Sequence, residues 1–161
     1  MRDADFERLY EREAGGLYGF LAYRTGDRAL AEDLLADTFE RALRARRGFD
    51  RRRGTERNWL YAIALNLLRD HARRAATEGR AVDRITPGVP AAADSAEESV
   101  GRRDELQRAV AGLAEEEREA IALRFGAELT VPEMAAVLGL PLTTVEGRVY
   151  RALRKLRERL E

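Results

Sequence analysis

The chain has 161 residues, no cysteine, one histidine, and 29 basic against 29 acidic side chains, with 36% of residues charged and 45% hydrophobic. Disulfide frameworks, thiolate metal sites and cysteine nucleophiles are excluded at once, and the balance fits a soluble, cytoplasmic protein of surface-rich helices. No run of about 18 uncharged apolar residues occurs, so membrane insertion is not expected, and the acidic start is unlike a secretory signal.

The zero net charge is an average over segregated segments. Residues 1–37 hold five Arg against nine acidic residues, a balance of −4, whereas residues 38–74 hold eleven Arg against four, a balance of +7. Further on, Arg148, Arg151, Arg154, Lys155, Arg157 and Arg159 are offset only by Glu158. Two basic patches with acidic surface between them suit two contacts with a phosphate backbone, leaving the acidic surface for another partner. Solvated helix faces are the plainer reading of either patch alone.

In chain order, Phe6, Leu9, Tyr10, Leu17, Phe20 and Leu21 recur at helical steps, with Gly15-Gly16 a candidate interruption. Residues 24–27 form a turn, and Asp27 is placed to cap the next helix, Ala29–Arg46, which would be the third. RRGFDRRRGTER reads as a basic loop, and a fourth helix follows over Glu56–Arg74. Residues 76–101, with Pro87 and Pro90 and few large apolar side chains, read as a flexible linker. Helices are then expected over Arg102–Ala114, Glu115–Phe125, Thr130–Leu138 and Thr143–Glu161. The fold class is all-α: two small helical domains, residues 1–75 and 102–161, on a tether. Each half is near the size at which one core is only marginally stable alone.

The sharpest local signal is VPEMAAVLGLPLTTVEGRVY, residues 131–150. A helix-turn-helix needs a small residue where its helices touch and a residue tolerant of positive φ at the turn. Ala135 and Gly139 fit. Thr130 and Glu133 form a capping box, and Pro141 stands just ahead of the second helix. Thr143, Thr144, Glu146, Gly147 and Arg148 then lie early in a recognition helix facing the major groove, with Arg151, Arg154 and Lys155 better placed for phosphates. A chance helical hairpin, with a cationic end favoured by the helix dipole, is the competing reading.

In the N-terminal half, Trp59, Ala62, Asn66, Arg69 and Arg73 make one stripe at i, i+3, i+7, i+10 and i+14, while Leu60, Ile63, Ala64, Leu67 and Leu68 form the core side. An aromatic, an amide and two guanidiniums on one face suit DNA; Trp59 alone could equally be a core anchor. Asp33, Asp37 and Glu40 share a face, but nothing converges on them to make a metal site. They are a solvated face or a docking surface for a basic protein. No metal site, cofactor or catalytic constellation is expected, and His71 has no ligand companions.

Three segments, residues 31–44, 49–74 and 113–160, together resemble the successive signatures of the extracytoplasmic-function sigma factors, bacterial transcription initiation subunits. The resemblance implies that Asp33, Leu34, Asp37 and Phe39 dock on the clamp of the largest subunit of core RNA polymerase, with the flap of the second-largest subunit a further contact. It implies that Arg51, Arg52, Arg53 and Thr55 of the loop, with Asn58, Trp59, Asn66, Arg69 and Arg73, hold the melted −10 element of promoter DNA. Thr143, Thr144, Glu146, Arg148, Arg151 and Lys155 would read the −35 element, and an anti-sigma factor would mask both domains. The chain departs from the family at Ala62 and Leu65, often basic, and at Glu146-Gly147, usually Lys-Ser. A helix-turn-helix operator-binding regulator would account for residues 113–161 alone, and a protein-binding adaptor for the acidic face and the fold.

Overall fold

A computed structural model describes residues 1–79 and 97–161, and among them the regular structure is entirely helical. Helix α1 spans Asp3–Thr25 and ends where Gly26 takes the left-handed conformation, φ 65°, its N–H donating to Ala22 O. The glycine pair does not interrupt it. Each Gly costs about 1 kcal/mol relative to Ala. Full burial of Leu9, Leu17, Phe20 and Leu21 returns more, at about 1.5–3 kcal/mol each. The N-terminal half therefore has three helices where the sequence pattern predicts four.

Helix α2, Arg28–Ala45, is capped by Asp27, whose carboxylate accepts from Leu30 N as expected. It buries Ala31, Leu34, Thr38, Phe39 and Ala42. After a short 3₁₀ turn at Arg46–Gly48 and a loop, α3 runs over Glu56–Thr77 with Thr55 as its cap. Its buried side is Leu60, Tyr61, Ala64, Leu65 and Leu68, while Ile63 and Leu67 are only half-buried. The inward face is thus rotated from the expected one. Tyr61 is drawn in by Phe20 of α1, edge to face at 5.9 Å, and α3 packs against α2 and also against α6 of the C-terminal half.

Of the segment read as a linker, residues 80–96 lie outside the described residues. On its flanks, α3 reaches Thr77 and α4 spans Glu97–Ala111, so helix extends into both ends of it. Next, α5 covers only Glu115–Ile121 before the chain widens into a π-turn at Ala122–Gly126. The expected uninterrupted helix to Phe125 is corrected accordingly. Ala127 N donates to Ala122 O and Leu129 N to Leu123 O, which lets Leu123 and Leu129 both reach full burial.

Helix α6, Val131–Leu138, has both bonds of the Thr130/Glu133 capping box. Gly139 closes it in the left-handed region, φ 66°, with its N–H on Ala135 O. Helix α7, Leu142–Leu160, follows directly. Met134 and Val145, both fully buried, hold the pair together. The two halves also touch: α1 packs against the π-turn and α3 against α6, and one apolar cluster runs through both.

Candidate nucleic-acid interface

The basic loop and the start of α3 are built by short-range polar contacts. Asp50 accepts from Arg52 N at 2.9 Å, and its carbonyl accepts from Arg53 N, folding the loop back and leaving Arg51, Arg52 and Arg53 exposed. Thr55 spends its hydroxyl on Asn58 N. Trp59 is half-buried and tilted against Phe49 at 5.1 Å, so it both anchors the loop and borders the surface. The loop and α1 bound an open cleft of about 760 Å³ lined by Arg12, Arg51, Arg52, Arg53 and Arg57 together with Glu13, Glu56 and Glu133, and Glu56 pairs with both Arg12 and Arg51. Buried Glu13 fixes its floor, accepting from Arg57 Nε at 3.0 Å; that hydrogen bond holds the guanidinium more firmly protonated than usual.

Along α3, Asn66, Arg69 and Arg73 are exposed on one face, as the stripe required. They are not equally available. Arg73 pairs with Asp70 on the same helix, whereas Arg69 reaches across to Glu119 of α5 at 3.0 Å. Leu65, one of the two departures from the family pattern on this helix, points into the core and is 2% exposed.

On α7, Thr143, Glu146 and Arg151 are exposed and Thr144 is partly so. Gly147 leaves room for Arg151 to lie back over the helix: a Cβ there would sit 3.1 Å from Arg151 Nη1. Arg148 is half-buried and lines a second cleft, about 380 Å³, between the halves with Arg24, Leu68, Arg69, Glu115 and Glu119. Lys155, expected from the sequence to contact the −35 element, is partly exposed, and its Nζ donates to Glu117 Oε1 at 2.6 Å within the C-terminal half.

The acidic face of α2 divides likewise. Asp33 and Asp37 are exposed, but Leu34 and Phe39 are 5% and 6% exposed and belong to the core. Phe39 meets the rings of Phe6 and Tyr10 at 6.2 and 4.7 Å. Leu34 and Phe39 therefore position the helix, and the carboxylates alone face outward. Nothing in the local sequence pattern singles out Arg12, Glu13, Arg57, Glu115, Glu119 or Glu133 as a group. Their decisive partners lie on separate helices, far away along the chain, and no short window marks such pairs. Among the described residues no cluster of three His, Cys, Asp or Glu could hold a metal ion, and no helix is long and apolar enough to cross a membrane.

Family models for Sigma-70 region 2 and Sigma-70 region 4 match residues 9–78 and 103–156, the three-helix half and the helix-turn-helix half in that order. The RNA polymerase sigma factor CarQ of Myxococcus xanthus is 35% identical over 96% of this chain and 88% of its own length. The chain belongs to the extracytoplasmic-function sigma factors. The ECF sigma factor BldN of Streptomyces coelicolor is 35% identical over 94% of this chain, which spans 58% of BldN. Among solved structures, the sigma factor RpoE in complex with the anti-sigma factor NepR, from Bartonella quintana, superposes with a TM-score of 0.76. That match has 25% identity and covers 97% of this chain and 96% of RpoE.

Proposed function

We propose that this chain is the promoter-recognition subunit of a bacterial RNA polymerase, acting in the cytoplasm by binding and not by catalysis. One observation carries the reading: two modules matched in order to sigma regions 2 and 4 each present exposed cationic side chains, at Arg51–Arg53 and along α7. On this reading residues 1–75 engage the polymerase clamp through Asp33 and Asp37 and hold the melted −10 strand. The 51–53 loop and Asn66, Arg69 and Arg73 supply polar and charged contacts, and the half-buried Trp59 supplies an indole on which a base can stack. Residues 102–161 read the −35 duplex with the start of α7, Arg148 to a guanine edge and Arg151 to the backbone. Residues 76–101 then serve as the tether between them. An anti-sigma factor is the expected antagonist, since the superposing RpoE is held by one.

The test is reconstitution. Purified chain, core polymerase and a promoter library should give transcripts with defined start sites that neither protein yields alone. Duplex binding without polymerase and without start-site selection would instead identify an operator-binding regulator, and polymerase binding without transcripts an adaptor.

A further inference from the structure

We infer that Gly147 is a positioning residue for DNA binding. Having no side chain, it gives the Arg151 guanidinium a seat against α7, one turn toward the start of the helix, from which Arg151 meets a phosphate. The inference rests on the reading of α7 as the −35 helix. Gly147 lies well inside Leu142–Leu160, and glycine is among the least favourable residues of a helix interior. The turn geometry does not ask for it: its φ is not positive, unlike that of Gly139. Packing does not ask for it either. The three atoms nearest to an added Cβ all belong to Arg151, with Nη1 at 3.1 Å and Cζ and Nη2 at 3.8 Å. They are the far end of a flexible side chain, not a neighbouring helix.

Helical side chains lean toward the N-terminus and cover the turn before their own Cα, so a residue at 151 lies over position 147. With no Cβ beneath it, the guanidinium can lie down on the helix. One turn is about 5.4 Å, so the seat carries the charge from the middle of α7 toward the end that enters the major groove, whose walls are phosphates. Arg151 is exposed, and among the described residues no hydrogen bond or ion pair engages it, whereas Lys155, one turn further on, is tied to Glu117. Its N–H donors therefore stay available to an anion. A free arginine loses much rotamer freedom on binding, and one already held along the helix loses less. The helix gives up propensity at 147 and gains a pre-ordered cation.

The test uses holoenzyme assembled from the full-length chain and core polymerase, titrated on a duplex drawn from the promoter library at several salt concentrations. A chain that binds the duplex without polymerase is titrated in the same way, so failure of the sigma reading leaves the measurement intact. Gly147→Ala, which asks Arg151 to shift only slightly, should raise the urea midpoint and leave binding nearly unchanged. Gly147→Gln, long enough to occupy the seat, should weaken binding about tenfold at about 0.1 M salt and lower the salt slope by ~0.9, the loss of one phosphate contact. Arg151→Ala should do the same, and adding Gly147→Gln to it should cost nothing further. A urea midpoint that falls on Gly147→Ala shows that the fold requires the glycine and overturns the inference. If Arg151→Ala lowers the slope while Gly147→Gln does not, the seat fails and the DNA reading of α7 survives. If Gly147→Gln weakens binding as much in the Arg151→Ala protein, the glycine is itself a point of DNA approach and the positioning role fails. If neither change alters binding or transcription, the inference falls together with the −35 role of Arg151.

Discussion

Lys155 Nζ donates to Glu117 Oε1 at 2.6 Å, tying the middle of α7 to the inner face of α5 across 38 residues of sequence. Glu117 is buried, and its second oxygen has no partner among the described residues. The ammonium is thus the main compensation for a charge held away from water. Lys155→Met should destabilise the chain by about 1–3 kcal/mol, the usual cost of leaving a buried charged group unpaired. The double change with Glu117→Leu should recover much of that stability. Thermal or urea unfolding measures both. Weaker DNA binding at unchanged stability would restore Lys155 to the phosphate-binding role.

Arg148 and Arg154 should separate by function. Arg148→Ala is expected to relax −35 preference, worth roughly 1–3 kcal/mol if it reads a base. Arg154→Ala, at an exposed position further along α7, should weaken binding evenly across sequences and reduce the salt slope by ~0.9 for each phosphate it no longer neutralises. Competition binding over a −35 library at several salt concentrations distinguishes them, and equal effects from both changes refute the division.

The outward carboxylates and the inward apolar residues of α2 should also part company. Asp33→Lys/Asp37→Lys should weaken binding to core polymerase while helicity stays the same by circular dichroism. Phe39→Ala should instead cost about 3–5 kcal/mol of stability, because it empties a buried ring site against Phe6 and Tyr10. Undiminished polymerase affinity in the charge-reversed protein removes the docking role.

The Arg24–Glu115 contact between α1 and α5 should contribute to stability with one pH dependence. Burial alone would raise the Glu115 carboxyl, but hydrogen bonds and charge from Arg24 and Arg118 outweigh it and hold the group below its ordinary value of 4.5. Arg69 from α3 and Arg148 from α7 line the same cleft, with Glu116 and Glu119 from α5 opposing them. A carboxyl depressed in the folded chain contributes stability fully above its ordinary titration range and ceases to as pH falls through the depressed value. The stability lost on Glu115→Gln, read by urea unfolding, should be constant near neutrality and shrink on acidification below about pH 4.5. A loss that grows on acidification would contradict the sign.

Backbone constraints in the helix-turn-helix give a further measure. Gly139 sits at φ 66°, so Gly139→Ala should cost about 1–2 kcal/mol through the left-handed penalty alone. Removing the capping hydroxyl with Thr130→Ala should cost about 1 kcal/mol. Chemical denaturation checks each, and a neutral Gly139→Ala would mean the turn relaxes out of the left-handed region.

Sequence by itself determined what depends on neighbours along the chain. Asp27 and Thr130 announced helix starts because capping bonds span three residues. Gly139 announced the turn because a single residue must tolerate positive φ. The Asn66, Arg69 and Arg73 stripe was legible because helical periodicity is local. Only the tertiary structure decided which of these side chains are free. Lys155 and Arg69 resemble the other cations of their helices until α5 supplies a carboxylate to each. Leu34 and Phe39 turn inward because α1 covers them, and Tyr61 replaces Ile63 in the core because Phe20 lies opposite. The Gly15-Gly16 pair stays helical because the surrounding apolar burial exceeds a propensity cost that a local reading counts alone. Burial and ion pairing are set by whichever helix arrives from elsewhere in the chain, and no sequence window contains that helix.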